Sequence, residues 1–173
     1  MQTLLNLLVV IDYISIENIL LRLDTEYNAS IADPDMPVFF SKLAVIELSG
    51  WLEDSIDEIL YEYIGQHLLD FDVINPVKDI IQKNYGFKYG SNILKICLSV
   101  LGANNWENIV DKLKPVEYSN LKAITGSLTV SRNKAAHTST VATRTFNAPS
   151  LTLADFRKLK PAIQMIENEV RMI

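Results

Sequence analysis

The first half of the chain carries a long apolar stripe at helical spacing. Between Val38 and His67, an apolar stripe comprises Leu43, Val45, Ile46, Leu48, Leu52, Ile56, Ile59, Leu60 and Ile64, and from Leu48 onward most of its residues lie three or four positions apart. This spacing places apolar side chains along one side of an α-helix. Only six glycines and six prolines interrupt the 173 residues, and no segment alternates as a half-buried strand would. The sequence therefore predicts an all-α bundle of about five to seven helices.

Turn residues set the predicted ends of these helices. The predicted helices are Thr3–Tyr27, Val38–His67, Val77–Tyr85, Asn92–Leu101, Trp106–Leu113, Glu117–Thr138 and a last helix from about Thr152. Tyr85-Gly86-Phe87 and Tyr89-Gly90-Ser91 are predicted as turns, and Thr138–Pro149 as a loop rich in Ser and Thr. Thr152, with Asp155 three residues later, resembles a capping box. Pro161 should kink or split the last helix.

Length and charge limit the classes of protein to which the chain can belong. With 49% hydrophobic and 21% charged residues, it is expected to fold as a single domain over residues 1–173. A net charge of −5 argues against a broad surface that coats nucleic acid. It leaves room for a small cationic cleft, for example where two copies of Arg132 and Lys134 meet at a dimer interface.

Cysteine usage and the N-terminus bear on the compartment. Cys97, the single cysteine, lies in an apolar run and is expected to be a small buried hydrophobe. A chain without a disulfide framework suits a reducing cytoplasm. The apolar segment Leu4–Ile11 follows no basic residue and is interrupted by Asp12 and Glu17 before it could span a membrane. We expect that segment to be a buried helix or an oligomer contact, and we expect no membrane partner.

Two other polar features have simple structural interpretations. The carboxylates Glu53, Asp54, Asp57, Glu58 and Glu62 lie along one predicted helix. Clustered carboxylates can bind Mg²⁺, but no loop organises these, so a solvated helix face is the favoured interpretation. His67 is expected at the C-terminal turn of the second helix. The sequence predicts neither a metal site nor a cofactor.

The segment Arg132-Asn133-Lys134-Ala135-Ala136-His137 points most directly at chemistry. A histidine can transfer a proton near neutral pH. A guanidinium grips phosphate oxygens through a bidentate fork. Cleavage of RNA through attack of the ribose 2′-hydroxyl needs both proton transfer and charge stabilisation on the phosphorane. These residues could therefore cut RNA without a metal.

The motif and its helical context resemble the HEPN superfamily. Arg132, Asn133 and His137 fill the family's Arg, polar and His positions on a long penultimate helix, and Leu48-Ser49-Gly50-Trp51-Leu52-Glu53 resembles a patch of its RiboL-PSP-like branch. The resemblance covers about Val38 to Ile173. It implies a homodimer with a composite active site, acting as a metal-independent endoribonuclease toxin in a toxin–antitoxin, abortive-infection or other phage-defence system, with a possible cognate antitoxin. Two departures are Thr138, where the family often has Gly, and the lack of Tyr two residues after His137.

Helical spacing suggests roles within the motif. Asn133 and His137, four residues apart, share a helix face, whereas Arg132 is offset from His137 by about 140°. We expect His137 to act as general acid or base, Arg132 to stabilise the scissile phosphate, Asn133 to orient the imidazole and Lys134 to bind RNA. A basic last turn that only complements the helix dipole is the structural alternative. A catalytically silent binding module for nucleotide, RNA or protein, and a helical adaptor docking through its first helix, are the competing functions.

Overall fold

A computed structural model describes residues 11–137 and 145–173 and shows, within these ranges, seven α-helices and no strand. The helices are α1 (Tyr13–Ala29), α2 (Met36–His67), α3 (Phe71–Gln82), α4 (Leu94–Leu101), α5 (Ala103–Lys112), α6 (Pro115–His137) and α7 (Pro149–Val170). A π-helical turn, Tyr89–Ile93, leads directly into α4. The predicted all-α bundle is confirmed, and the motif lies at the end of its long penultimate helix.

Helix α2 is the central element of the bundle. It packs against α1, α6 and α7, and α7 also contacts α1 and α6, so that these four helices enclose the main core. Leu48, Leu52 and Phe156 are fully buried there. Trp51 meets the Phe156 ring edge-on, with ring centroids 5.2 Å apart. Burial of such apolar area is the main source of stability.

The three shorter helices cover one part of this bundle. Helix α3 contacts α2 and α4, and α5 contacts α4 and α7. The π-helical turn is tied to α6, because the Tyr89 N–H donates to Thr125 Oγ1 at 3.1 Å inside the core. Gly86, just before this turn, has φ of +109°, which a residue with a Cβ rarely adopts. The positive φ of Gly86 thus explains why the chain turns at Tyr85–Phe87, as the sequence predicts.

Several predicted helix starts are wrong because a capping residue or a proline sets the start elsewhere. Helix α1 begins at Tyr13 and not at Thr3, since Asp12 accepts hydrogen bonds from the N–H groups of Ile14 and Ser15; residues 3–10 lie outside the described residues. Helix α3 begins at Phe71 and not at Val77, capped by Asp70, which accepts from the Asp72 N–H.

Other boundaries differ for similar reasons. Tyr89-Gly90-Ser91 is not a turn between helices but the start of the π-helical turn. Helix α5 begins at Ala103, directly after Gly102 at φ +83°, and not at Trp106. Helix α6 begins at Pro115, where the fixed φ of proline suits a first helical residue.

The final helix corrects two expectations. It begins at Pro149, and its N-cap Ala148 provides no side-chain hydrogen bond, so Thr152 and Asp155 do not form a capping box. The helix continues through Pro161 to Val170 as one element, so of the predicted kink or split the split does not occur. Pro161 is exposed, and the bond that its missing N–H would have made is one of many along a helix held by its buried side.

Two single residues behave as expected. Cys97 is buried at 1% exposure, and burial raises the pKa of its thiol. His67 ends α2, where its Nδ1 lies 2.9 Å from the Tyr63 carbonyl oxygen and its ring stacks on that of Tyr63. In the described part of the chain, no helix is both long and apolar enough to cross a membrane.

Candidate active site at the end of helix α6

The motif forms the last two turns of α6. Leu121, Leu128 and Ala135, spaced by seven residues, are buried and attach this helix to the core. Asn133 and His137 are exposed. The seven-residue spacing of the buried side chains leaves the opposite face of α6, with Val130, Asn133 and His137 at positions i, i+3 and i+7, directed to solvent. Val130 on this face is 69% exposed.

The structure brings Asn133 and His137 to one face but does not place Arg132 on it. Arg132 is exposed on the neighbouring side of the helix, as the spacing predicts. Within residues 11–137 and 145–173, no hydrogen bond joins Asn133 to His137, and the Arg132 guanidinium has no ion-pair partner. The chain thus presents three exposed polar side chains at the end of α6.

Lys134, the residue predicted to bind RNA, contacts Thr145 and Phe146 of the same chain. Its Nζ donates to the Thr145 carbonyl oxygen at 3.1 Å and lies 5.1 Å from the centroid of the Phe146 ring. Lys42 of α2 approaches the same ring, with Nζ 5.9 Å from the centroid. Two ammonium groups therefore lie within 6 Å of the centroid of one aromatic ring beside the motif, a local cationic feature on an acidic protein.

Sequence reasoning missed a small cavity that adjoins this cluster. The cavity has a volume of about 70 Å³ and lies between α2, α6 and the start of α7. Polar side chains line much of it, namely Ser127, Ser131, Asn147, Thr152 and Asp155, and Phe146 forms one wall. Phe146 is the only aromatic residue in the predicted Ser- and Thr-rich loop, a signal that could have drawn attention to it.

Asp155 is the titratable group of this cavity. It is half-buried, and burial raises the pKa of its carboxyl, an effect that Lys158 only partly offsets. No hydrogen-bond donor to this carboxyl is present among the described residues. A half-buried carboxyl without such donors can accept hydrogen bonds from a bound molecule.

The acidic residues of α2 serve several purposes. Glu53 accepts a hydrogen bond of 2.6 Å from the Gly86 N–H, and Glu62 pairs with Arg171. Asp57 is half-buried, and burial, reinforced by Glu53 and Asp54, raises the pKa of its carboxyl to about 7. The interpretation as a simply solvated face is therefore incomplete. Among the described residues, no group of three or more His, Cys, Asp or Glu side chains is placed to hold a metal ion.

The whole chain was compared with protein families, curated proteins and solved structures. The chain matches no family model, no curated protein and no solved structure. The resemblance to the HEPN superfamily therefore depends on the residues of the motif, on residues 48–53 of α2 and on the order of the helices.

Proposed function

We propose that the protein is a metal-independent endoribonuclease whose active site is built from Arg132, Asn133 and His137. The observation that carries this proposal is the exposure of these three side chains together at the end of one helix. In the proposed reaction, the ribose 2′-hydroxyl loses its proton as its oxygen attacks the adjacent phosphorus, and the bond to the 5′-oxygen of the next nucleotide breaks. The products are a 2′,3′-cyclic phosphate and a 5′-hydroxyl.

His137 is suited to the proton transfers of this reaction. It ends α6 and is exposed, so an RNA strand can reach its imidazole. A positioned acid or base typically contributes about 10²- to 10⁴-fold in rate. Arg132, always charged, would stabilise the negative charge that develops on the phosphorane.

A homodimer would unite the groups that one protomer holds on neighbouring faces. On the exposed face of α6, small residues precede the motif. One of them is Gly126, where an added Cβ would meet no atom within 4 Å, so this position is open to a second helix. Two α6 helices that pack through Gly126 and Val130 would bring Asn133 and His137 of both copies close to each other. Arg132 of one copy could then reach the phosphate held beside His137 of the other.

Toxicity to the host cell is the biological part of the proposal, and it rests on the HEPN resemblance. An endoribonuclease that attacks cellular RNA would halt growth when expressed, as toxins of phage-defence systems do. Induced expression should therefore arrest growth, and expression of His137→Ala should not. An antitoxin or defence partner would be the natural regulator of such an enzyme.

The deciding experiment is incubation of purified protein with total RNA in EDTA. Wild type should cleave RNA and leave 2′,3′-cyclic phosphate ends, whereas His137→Ala should lose about 10²-fold or more of the rate. His67→Ala is the matched control, because that histidine also ends a helix but lies at the end of α2, and it should retain full activity. Equal cleavage by His137→Ala and wild type would overturn the assignment. No cleavage by a folded, dimeric wild type would support the silent binding module instead.

A further inference from the structure

The cavity beside the motif combines an aromatic wall, a carboxyl and a cationic rim. Phe146 forms the wall, Asp155 reaches the cavity from α7, and the Nζ atoms of Lys42 and Lys134 lie within 6 Å of the centroid of the Phe146 ring. Ser131, one residue before Arg132, lines the same cavity from α6. The cavity therefore lies on the side of α6 that faces α2 and α7, around the helix from Asn133 and His137. Lys134 connects it to the motif through its contact with the Phe146 ring.

We infer that this cavity is a nucleobase subsite of the proposed ribonuclease and that it takes guanine. The inference rests on the proposed function for its place in the reaction. Single-stranded RNA is recognised through bases that stack on aromatic side chains and present their Watson–Crick edge to polar groups. Here Phe146 would lie against the base, Asp155 would read its edge, and the two lysines would attract the neighbouring phosphates.

Guanine fits a carboxylate better than the other bases do. Its Watson–Crick edge presents two adjacent donors, the N1–H and the exocyclic amino group, and a carboxylate can accept both. Adenine and cytosine each place an acceptor nitrogen beside their amino group, and uracil places one N–H between two carbonyls. Against those three edges a carboxylate oxygen would meet another acceptor.

The size and surroundings of the cavity agree with this inference. At about 70 Å³ the cavity has room for more than one water but not for a whole base, so only the Watson–Crick edge would enter while the rest of the base and the sugar stay outside. Thr152 is only 4% exposed yet lines the cavity, and its hydroxyl adds a polar group to a largely enclosed wall.

The test measures binding and cleavage separately. Wild-type protein is titrated with GMP, AMP, CMP and UMP and observed by NMR. GMP should bind roughly ten- to a hundredfold more tightly than the others, with shifts at Ser131, Thr152 and Phe146. Asp155→Asn should lose this preference, because its amide presents one donor and one acceptor and fits adenine or cytosine as well. Asp111→Asn, at an exposed carboxylate of α5, is the matched control and should behave as wild type.

Cleavage of RNA oligonucleotides that contain one G, A, C or U provides the second arm. Preferred cleavage next to G, lost in Asp155→Asn but not in Asp111→Asn, supports the subsite. Cleavage without base preference, together with no GMP binding, overturns the subsite and leaves the ribonuclease intact. Asp155-dependent GMP binding with no RNA cleavage supports the guanine site and refutes the proposed function. A preference for another base, or GMP binding unaffected by Asp155→Asn, overturns the inference.

Discussion

Tyr13 Oη donates a hydrogen bond of 2.7 Å to Glu167 Oε2 and thereby joins the first turn of α1 to the last turns of α7. The other carboxylate oxygen of Glu167 pairs with Arg171 at 2.9 Å, and Arg171 also pairs with Glu62 of α2. Burial, together with Glu167, raises the pKa of Tyr13, so its hydroxyl remains a neutral donor at physiological pH. One polar cluster thus connects three helices of the bundle.

Replacing Tyr13 by Phe should destabilise the protein through this cluster. The substitution keeps the ring that packs against Trp51 and removes only the donor to a buried carboxylate. A hydrogen bond to a charged group contributes about 1.5–3 kcal/mol, and the free energy of unfolding in urea should fall by that amount. Tyr85→Phe, at a residue 82% exposed, is the control and should leave stability unchanged. Equal stability of the two variants would mean that the bond to Glu167 is energetically silent.

Asp57 should make stability depend on pH between about 4 and 7. The ordinary pKa of an aspartate is 3.8, whereas that of Asp57 in the folded protein is about 7, because burial and the neighbouring Glu53 and Asp54 oppose its charge. Over that interval the folded state binds more protons than the unfolded state, so this carboxyl's contribution to stability is full below pH 3.8 and is lost as pH rises through 7.

Asp57→Asn removes this titration and provides the measurement. The variant should gain stability relative to wild type at pH 8, and the gain should shrink as pH falls toward 4. Urea unfolding of both proteins at several pH values gives the difference directly. Asn18→Ala, at an exposed position of α1 and without loss of a titratable group, is the control and should show no pH-dependent difference from wild type. A difference between Asp57→Asn and wild type that does not vary with pH would contradict the assignment.

The sequence predicts the helices better than it predicts how their ends are fixed. The stripe from Leu43 to Ile64 identifies α2 to within two residues at its start, because apolar residues repeated at helical spacing over many turns have few alternatives to a helix. The predicted starts of α1 and α3 are wrong, because an Asp serves as an N-cap only if the chain turns there, which depends on packing.

At the candidate site, too, the sequence predicts features set by helical spacing but not contacts between residues far apart in the chain. Exposure of Asn133 and His137 on one face follows from their spacing. The approach of Lys42 and Lys134 to Phe146 does not, because Lys42 lies on a helix far away in the sequence. The local sequence around Asp155 suggests only a helix cap, and it is the packing of α2, α6 and α7 that places this residue in a cavity.

Val130→Glu should separate the protomers of the proposed dimer. Val130 is 69% exposed and lies on the α6 face that also carries Asn133 and His137, so a charge there should not disturb the fold of one protomer but would be buried at a two-fold contact. Sedimentation should show a dimer for wild type and a monomer for the variant, with cleavage reduced at least tenfold. Val73→Glu, at a residue 46% exposed on α3, should remain dimeric and active. A dimeric, active Val130→Glu would exclude this face as the interface.

Arg132→Lys should distinguish a catalytic guanidinium from a mere positive charge. Lysine keeps the charge and the attraction for RNA but loses the planar fork that holds two phosphate oxygens at once. If Arg132 stabilises the phosphorane, kcat should fall at least tenfold while KM changes little, since the lost interaction belongs to the transition state. Arg22→Lys, at an exposed arginine of α1, should leave both constants unchanged. A rise in KM at constant kcat would instead assign Arg132 to uniform binding of RNA, and His137 alone would then remain to account for the chemistry.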